Sequence, residues 1–125
     1  MTLQVRNPPS LPRPASRYAQ AMLVEGAGRW LHVSGQVGLD AGGKLAADQH
    51  AQAFANVMAA LQAAGMGPEH LVKLTVYVTA AAEVAAYRRA RDAALQGREV
   101  ASTLVIVAGL VHPDFVVEIE AIAAA

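Results

Sequence analysis

The side chains best suited to acid–base chemistry lie near the C-terminus, in the segment FVVEIEAIAAA. Residues two apart in a strand share a face, so Glu118 and Glu120 point the same way from a run that is otherwise apolar. A carboxylate in such surroundings can act as a general acid or bind a cation. The pair therefore marks one face of the last predicted strand as a candidate reactive surface.

Other reactive side chains lack the spacing of the common catalytic and metal-binding motifs. Ser102 and Thr103 lie in a strand-like run with no G-x-S-x-G motif and no histidine close in sequence, which favours a packing or binding role over a nucleophile. The chain contains no cysteine, so it has no thiol nucleophile, thiolate metal site or disulfide. The histidines lack the paired spacing of a helical zinc site. We therefore expect neither a metal nor a cofactor.

The elements that must position these residues follow from the hydrophobic pattern. Alternating residues predict strands, and apolar residues at three- and four-residue spacing predict helices, in the order β-β-α-β-α-β-β. We expect the first two strands to pair as a hairpin. The strand-like runs are 17–26, 29–39, 70–79, 100–109 and 114–125, and the helical runs are 47–65 and 81–95.

The two helices should each bury one stripe. The predicted inward stripe of the first helix is Ala51, Phe54, Met58 and Leu61. The second helix can be capped by Thr79, with Val84, Tyr87 and Ala94 directed inward and Arg88, Arg89, Arg91 and Asp92 spread over the remaining surface.

Helices between strands of one sheet imply right-handed crossovers, which place both helices on one face of a mixed sheet. The opposite face would then be uncovered. Hydrophobic residues make up 54% of the chain and charged residues only 16%, against about 25% in typical domains. A chain of 125 residues cannot bury such a surplus alone, so the uncovered face predicts a homo-oligomer.

Charge and composition also limit the partners. The formal net charge is zero, which gives no general attraction for nucleic acid or an anionic membrane. No run approaches the roughly 18 apolar residues of a membrane span, and no signal-peptide core is visible, so a cytoplasmic protein is expected. Four of the six prolines lie within residues 1–16, which we interpret as an extended N-terminal arm preceding a single domain at 17–125.

Four stretches together resemble the RidA/YjgF family of reactive-intermediate deaminases. They are RYAQA at 17–21, VSGQVG at 33–38, AAGMGPEHLVKLTVYV at 63–78 and VEIEAIA at 117–123. The resemblance implies an α+β fold of the chorismate-mutase-like type and a homotrimer. In that trimer three sheets close a central barrel, and the ligand clefts lie between adjacent subunits.

The resemblance also implies a chemistry. Members with the standard site hydrolyse enamines and imines, such as 2-aminoacrylate, to a keto acid and ammonia. An arginine in a P-A-R-[ST] signature holds the substrate carboxylate, and the second glutamate of E-I-E-A-I-A, here Glu120, helps to place water or a proton. Tyr18, Ser34 and Gly35 match the cleft-lining positions, whereas Glu118 is expected to form a structural ion pair or to face solvent.

The signature itself is altered, because the sequence reads VAST at 100–103 and Ser102 replaces the arginine. Standard deaminase activity is therefore expected to be weak or absent, with Ser102 and Thr103 shaping the pocket instead. Arg88 falls where many relatives have an asparagine near the cleft, so it is a candidate carboxylate clamp; Arg17 and Arg98 are further candidates. The alternative for Arg88 is a solvated position in a run of surface arginines.

Two functions remain open. The first is a hydrolase of the enamine and imine deaminase type that acts on a non-standard substrate in a cleft between subunits. The second is a non-catalytic trimer that binds or responds to a small metabolite, which could be a carboxylate. An endoribonuclease is a remote third alternative, because zero net charge and scarce aromatic residues disfavour RNA binding.

Overall fold

The computed structural model describes residues 1–125 and contains six strands and two α-helices. The strands are β1 (Thr2–Arg6), β2 (Ala21–Glu25), β3 (Trp30–Gln36), β4 (Leu71–Val78), β5 (Ala101–Ile106) and β6 (Val117–Ala124). The helices are α1 (Gln49–Ala63) and α2 (Val84–Ala94). A short 3-10 turn at Pro68–His70 precedes β4, and another at Ala81–Glu83 precedes α2. The predicted α+β class is confirmed.

The main sheet has the order β3-β6-β4-β5. β4 and β5 are parallel and are joined through α2, while β6 is antiparallel to both of its neighbours. β4 and β6 are the central strands of this sheet and also its longest. They carry most of the polar side chains considered below.

The predicted hairpin between the first two strand-like runs, 17–26 and 29–39, is wrong. β2 pairs with β1 in a separate two-stranded sheet, and β3 pairs with β6. Residues Thr2–Arg6 form a strand that was not predicted, because the proline content of the first 16 residues indicated an extended arm instead. Alternation specifies which face a strand buries, but it does not specify the partner strand.

The helices bury a stripe that differs slightly from the predicted one. Asp48 caps α1 by accepting a hydrogen bond from the Ala51 backbone N–H at 3.0 Å. Ala51 itself is exposed, because the buried stripe is rotated about the helix axis relative to the predicted one. The buried residues of α1 are His50, Ala53, Phe54, Val57 and Leu61.

The start of α2 also differs from the prediction. The helix begins at Val84 with Glu83 at the N-cap, after the 3-10 turn, so Thr79 is not its cap. The extra turn places Val84, Tyr87 and Arg91 on the face that packs inward, with Tyr87 and Arg91 both buried.

One hydrophobic core lies between the two helices and one face of the main sheet. Its largest members include Tyr87, Phe54, Leu61, Leu74 and Ile119, and the Phe54 and Tyr87 rings stack at 5.7 Å between centroids. The opposite face of the main sheet, which we call the open face, is not covered by either helix. Trp30 on β3 is 52% exposed and Val105 on β5 is 40% exposed there.

None of the helices has both the length and the apolar character required to cross a membrane.

Candidate functional site

The strand registers determine which polar residues share a face. Thr103 on β5 pairs with Thr75 on β4, and Thr75 pairs in turn with Glu120 on β6. Residues paired across strands point to the same side of a sheet, so these three lie on the open face. Ser102 precedes Thr103 and therefore points to the opposite side, toward α2.

Glu120 is held on the open face by a tyrosine. The Tyr77 hydroxyl donates a hydrogen bond to Glu120 Oε1 at 2.8 Å. This bond to a carboxylate raises the pKa of Tyr77 above its ordinary value of 10, with desolvation as a smaller cause. Tyr77 therefore stays protonated at neutral pH and fixes the orientation of the carboxylate.

A shallow cavity of about 200 Å³ lies beside Glu120, and we call it the sheet-face pocket. Lys73 borders it and donates a hydrogen bond to Thr103 Oγ1 at 2.8 Å. The pocket thus contains one carboxylate, one ammonium group, one imidazole and two hydroxyls, a set that can bind a polar ligand or move a proton. Its lining residues are His32, Val33, Ser34, Lys73, Thr75, Glu120, Ala121 and Ile122.

Gly35 and Glu118 make a separate packing contact next to this pocket. The pairing of β3 with β6 is irregular between Val33 and Gln36. A Cβ atom on Gly35 would lie 2.7 Å from Glu118 Cδ and 2.9 Å from its Oε2. The glycine is therefore required for Glu118 to pack against β3, and neither residue lines the sheet-face pocket.

Tyr18, Arg88 and Ser102 come together on the other side of the sheet, and Thr103 adjoins them from β5 although its side chain points to the open face. Tyr18, Arg88, Ser102 and Thr103 border a cavity of about 370 Å³ between α2, β5 and residues 15–20, which we call the α2 cavity. No acidic residue lines it. The other lining residues are Ala15, Ser16, Gln20, Val84, Tyr87, Arg91 and Leu104.

Arg91 is the residue that sequence reasoning missed, and its predicted position on the exposed surface of α2 is wrong. Its side chain is only 5% exposed. Nη1 donates to Ser16 Oγ at 3.1 Å, while Nε and Nη2 donate to Asp92 Oδ1 at 3.1 and 3.0 Å. The sequence does indicate the burial of Arg91, because residues 84, 87 and 91 follow the spacing of one helix face.

The other candidate arginines occupy different surroundings. Arg88 is exposed, makes no ion pair and borders the α2 cavity. Arg17 lies 4.0 Å from Asp92 through its Nε atom, and Arg98 donates to the Gln96 side chain at 3.0 Å. Neither Arg17 nor Arg98 lines the cavity.

The ring of Tyr87 packs against the Arg91 side chain. The Arg91 guanidinium lies 5.9 Å from the centroid of the Tyr87 ring, within cation–π range. Burial raises the pKa of Tyr87 to about 12, and Arg91 and the nearby Ser102 oppose the shift only in part. Although Ser102 is near, the Tyr87 hydroxyl is buried without a hydrogen-bond partner of good geometry.

The predicted site residues thus divide between two places within one chain. Glu120 and Ser34 border the sheet-face pocket, while Tyr18, Arg88, Ser102 and Thr103 border the α2 cavity. The main sheet separates Glu120 from Ser102. No group of three His, Asp or Glu side chains is arranged to hold a metal ion.

Comparisons with known proteins agree with this architecture. Residues 9–125 match the family model described as Endoribonuclease L-PSP. YyfB from Yersinia pestis, a protein of the conserved Rid family, superposes with a TM-score of 0.89 at 31% identity over all of both chains. RidA from the Antarctic bacterium Psychrobacter sp. PAMC 21119 superposes with a TM-score of 0.72 at 31% identity over 98% of this chain and 99% of that one.

A RutC family protein from Aquifex aeolicus (strain VF5) is 41% identical over 75 residues. The matched region is 57% of this chain and spans 58% of that relative.

Proposed function

Because this chain belongs to the Endoribonuclease L-PSP family, we propose that it is a RidA-like enzyme that hydrolyses an enamine or imine. The site would be a cleft shared by two copies of a homotrimer. One copy would contribute the α2 cavity, and its neighbour would contribute the sheet-face pocket with Glu120.

The observation that carries the proposal is the division of the polar residues by the main sheet. Ser102 and Glu120 point to opposite sides of that sheet, so one chain cannot bring them to a single ligand. A second copy packed on the open face can supply the missing half. Trp30 and Val105 give that face the exposed apolar surface that a subunit interface requires.

The chemistry is a hydrolysis that begins from the imine, which is the tautomer of an enamine. Water adds to the imine carbon, and the Glu120 carboxylate accepts the proton that the attacking water loses. That proton passes to the nitrogen and gives a carbinolamine. The carbinolamine hydroxyl then loses its own proton, which Glu120 passes to the same nitrogen; the carbon–nitrogen bond breaks, ammonia leaves and the carbonyl product remains. Tyr77 would keep Glu120 oriented through the 2.8 Å hydrogen bond.

Ser102 determines which substrates are excluded. A serine hydroxyl at this position supplies one neutral hydrogen bond where an arginine would supply a charged, bidentate one. We therefore expect turnover of 2-aminoacrylate to be weak, and turnover of an imine of different shape or charge to be the native activity.

The test is an imine hydrolysis assay that generates 2-aminoacrylate and a panel of other imines in situ and follows ammonia release. Glu120→Gln should remove the activity on any imine that the wild type hydrolyses. Glu118→Gln is the matched control, because it changes a carboxylate on the same face of the same strand and should keep most of the activity. Equal activity of Glu120→Gln and wild type would contradict the assignment, and rapid 2-aminoacrylate turnover would contradict the argument from Ser102.

A second candidate function is a trimer that binds a small metabolite without turnover. It is favoured by one observation, the presence of Ser102 where the family's signature has its arginine. Binding of a small carboxylate that persists in Glu120→Gln, with no hydrolysis across the imine panel, would support it.

A further inference from the structure

We infer that the N-terminal segment and α2 together present a basic surface that docks a short acidic segment of a partner protein. We call this surface the basic face, and it consists of the exposed side chains of Arg13, Arg17, Arg88, Arg89 and Arg98. The inference goes beyond the proposed hydrolysis, because all of these residues except Arg88 lie outside the sheet-face pocket and the α2 cavity. It rests on the division of charge along the chain, on the contacts that bring the arginines together and on their lack of partners.

The segments that form this face carry an excess of positive charge. Residues 1–20 and 84–99 contain seven of the eight arginines and only two carboxylates, Asp92 and Glu99. The remaining residues contain eight carboxylates and three lysine or arginine side chains. The formal charge is therefore +5 on the two segments and −5 on the rest of the chain. The net charge of zero results from two opposite regions, so it does not exclude a charged partner.

A contact between the N-terminal segment and α2 brings three of the arginines together. Arg17 Nε lies 4.0 Å from Asp92 Oδ2. Asp92 comes one turn after Arg88 and Arg89, and residues three and four apart are neighbours on a helix surface. Arg17 therefore lies next to the two helical arginines, although it is distant from them in sequence.

The other two arginines flank this group. Arg13 and Glu99 border a surface cavity of about 550 Å³ together with Ser16, and Arg98 directly precedes Glu99. Ser16 in turn accepts a hydrogen bond from Arg91 of α2 at 3.1 Å. The basic face thus continues from α2, across the turn that follows the helix, to the N-terminal segment.

The guanidinium groups of this face are available to a partner. Arg13, Arg88 and Arg89 are exposed and make no ion pair. Arg98 donates to a neighbouring glutamine side chain at 3.0 Å, and the side chain of Arg17 is 64% exposed. An exposed, unpaired guanidinium offers a planar fork of donors that matches the two oxygens of a carboxylate.

The surroundings of the face favour an acidic protein segment over a nucleic acid. A nucleic acid carries phosphates along its whole length, so a strand that extended past the face would meet the region of charge −5. Bases also stack on exposed aromatic rings, and the one exposed aromatic residue, Trp30, lies on the open face of the main sheet. A short run of Asp and Glu residues can pair with the arginines and end before it reaches the acidic region.

The test measures binding of a fluorescent peptide of about eight glutamates, which spans roughly 27 Å when extended. A glutamine peptide of the same length and a short RNA duplex serve as comparisons. We expect the glutamate peptide to bind at low salt and to dissociate at about 0.5 M salt, where attraction between exposed charges is screened. The glutamine peptide should not bind.

The matched variants remove equal charge from two parts of the surface. Arg13→Gln combined with Arg89→Gln should weaken binding of the glutamate peptide about fivefold, the loss expected for two exposed ion pairs. Arg29→Gln combined with Lys44→Gln is the control, because both residues are exposed and lie outside the basic face. The control variant should bind the peptide as the wild type does.

A second readout uses the wild-type protein and needs no substitution. The backbone NMR signals of residues 13–17 and 88–98 should shift on addition of the glutamate peptide, whereas those of residues 40–44 should not. Absence of binding at low salt, an equal loss in the control variant, or shifts confined to other residues would overturn the inference. Tighter binding of the RNA duplex than of the glutamate peptide would also overturn it, since the face would then be a nucleic-acid site.

Discussion

Replacement of Tyr87 by phenylalanine should change the way stability depends on pH. Burial raises the pKa of Tyr87 from its ordinary value of 10 to about 12, because the phenolate would lie in the core beside Phe54. The folded state therefore prefers the protonated hydroxyl. This contribution to stability is complete below pH 10 and is lost as the pH rises from 10 through 12.

The size of the effect follows from the shift. One pKa unit corresponds to about 1.4 kcal/mol, so the wild type should lose about 3 kcal/mol of unfolding free energy over that interval through this one group. Tyr87→Phe cannot lose it. At pH 8 the variant should be no less stable than the wild type, because the hydroxyl it removes has no hydrogen-bond partner.

The assay is urea unfolding followed by far-UV circular dichroism, at a series of pH values from 8 to about 11.5 and at one protein concentration. The gap in unfolding free energy between Tyr87→Phe and wild type should widen as the pH rises. Tyr18→Phe is the matched control, because it removes the same hydroxyl from a partly exposed position. Parallel curves for Tyr87→Phe and wild type across the whole range would refute the reasoning.

Three further substitutions test the framework that positions the two pockets. Phe54→Ala should destabilise the protein by about 3–5 kcal/mol in urea unfolding, since it removes a fully buried ring that stacks on Tyr87; a loss below 1 kcal/mol would contradict the assigned core. Asp48→Ala should cost about 1 kcal/mol through loss of the α1 cap, and Asp48→Asn, which retains an acceptor, should cost less. Gly38→Ala should cost about 1–3 kcal/mol, because the new Cβ would lie 2.6 Å from Gln49 Cα, whereas Gly28→Ala meets no atom within 4 Å and serves as the control.

Much of the fold follows from local patterns that act over a few residues. The alternation of β4 and β6 determines which of their side chains are buried, so the shared face of Glu118 and Glu120 could be predicted from the sequence. Helical spacing likewise places both helices within a few residues of their observed ends. In each case the burial of one face is a local property of the chain.

The partner of each strand could not be predicted in the same way. β2 alternates as well as β3 does, yet it pairs with residues 2–6 instead of with its neighbour in sequence. The same limit applies to the site. The opposite orientation of Ser102 and Glu120 depends on the register of β5, β4 and β6, which are distant in sequence.

The burial of Arg91 illustrates a different limit. A run of arginines on a helix usually indicates a solvated surface, and that reasoning holds for Arg88 and Arg89, which are exposed. Arg91 lies one turn after Tyr87, and its charge is tolerated in the interior because Asp92 and Ser16 satisfy three of its donors. The charge of Arg91 predicted an exposed side chain, whereas its spacing from Tyr87 indicated the buried face of the helix.

The central claim is that the α2 cavity of one copy meets the sheet-face pocket of another, and cysteine cross-linking tests it most directly. The chain has no cysteine, so Arg88→Cys and Glu120→Cys can be combined and treated with a short bismaleimide at low protein concentration. We predict a covalent species of three chains from the double variant, while each single variant stays largely unlinked. A double variant that migrates as one chain, whether linked within itself or not linked at all, would contradict the shared cleft.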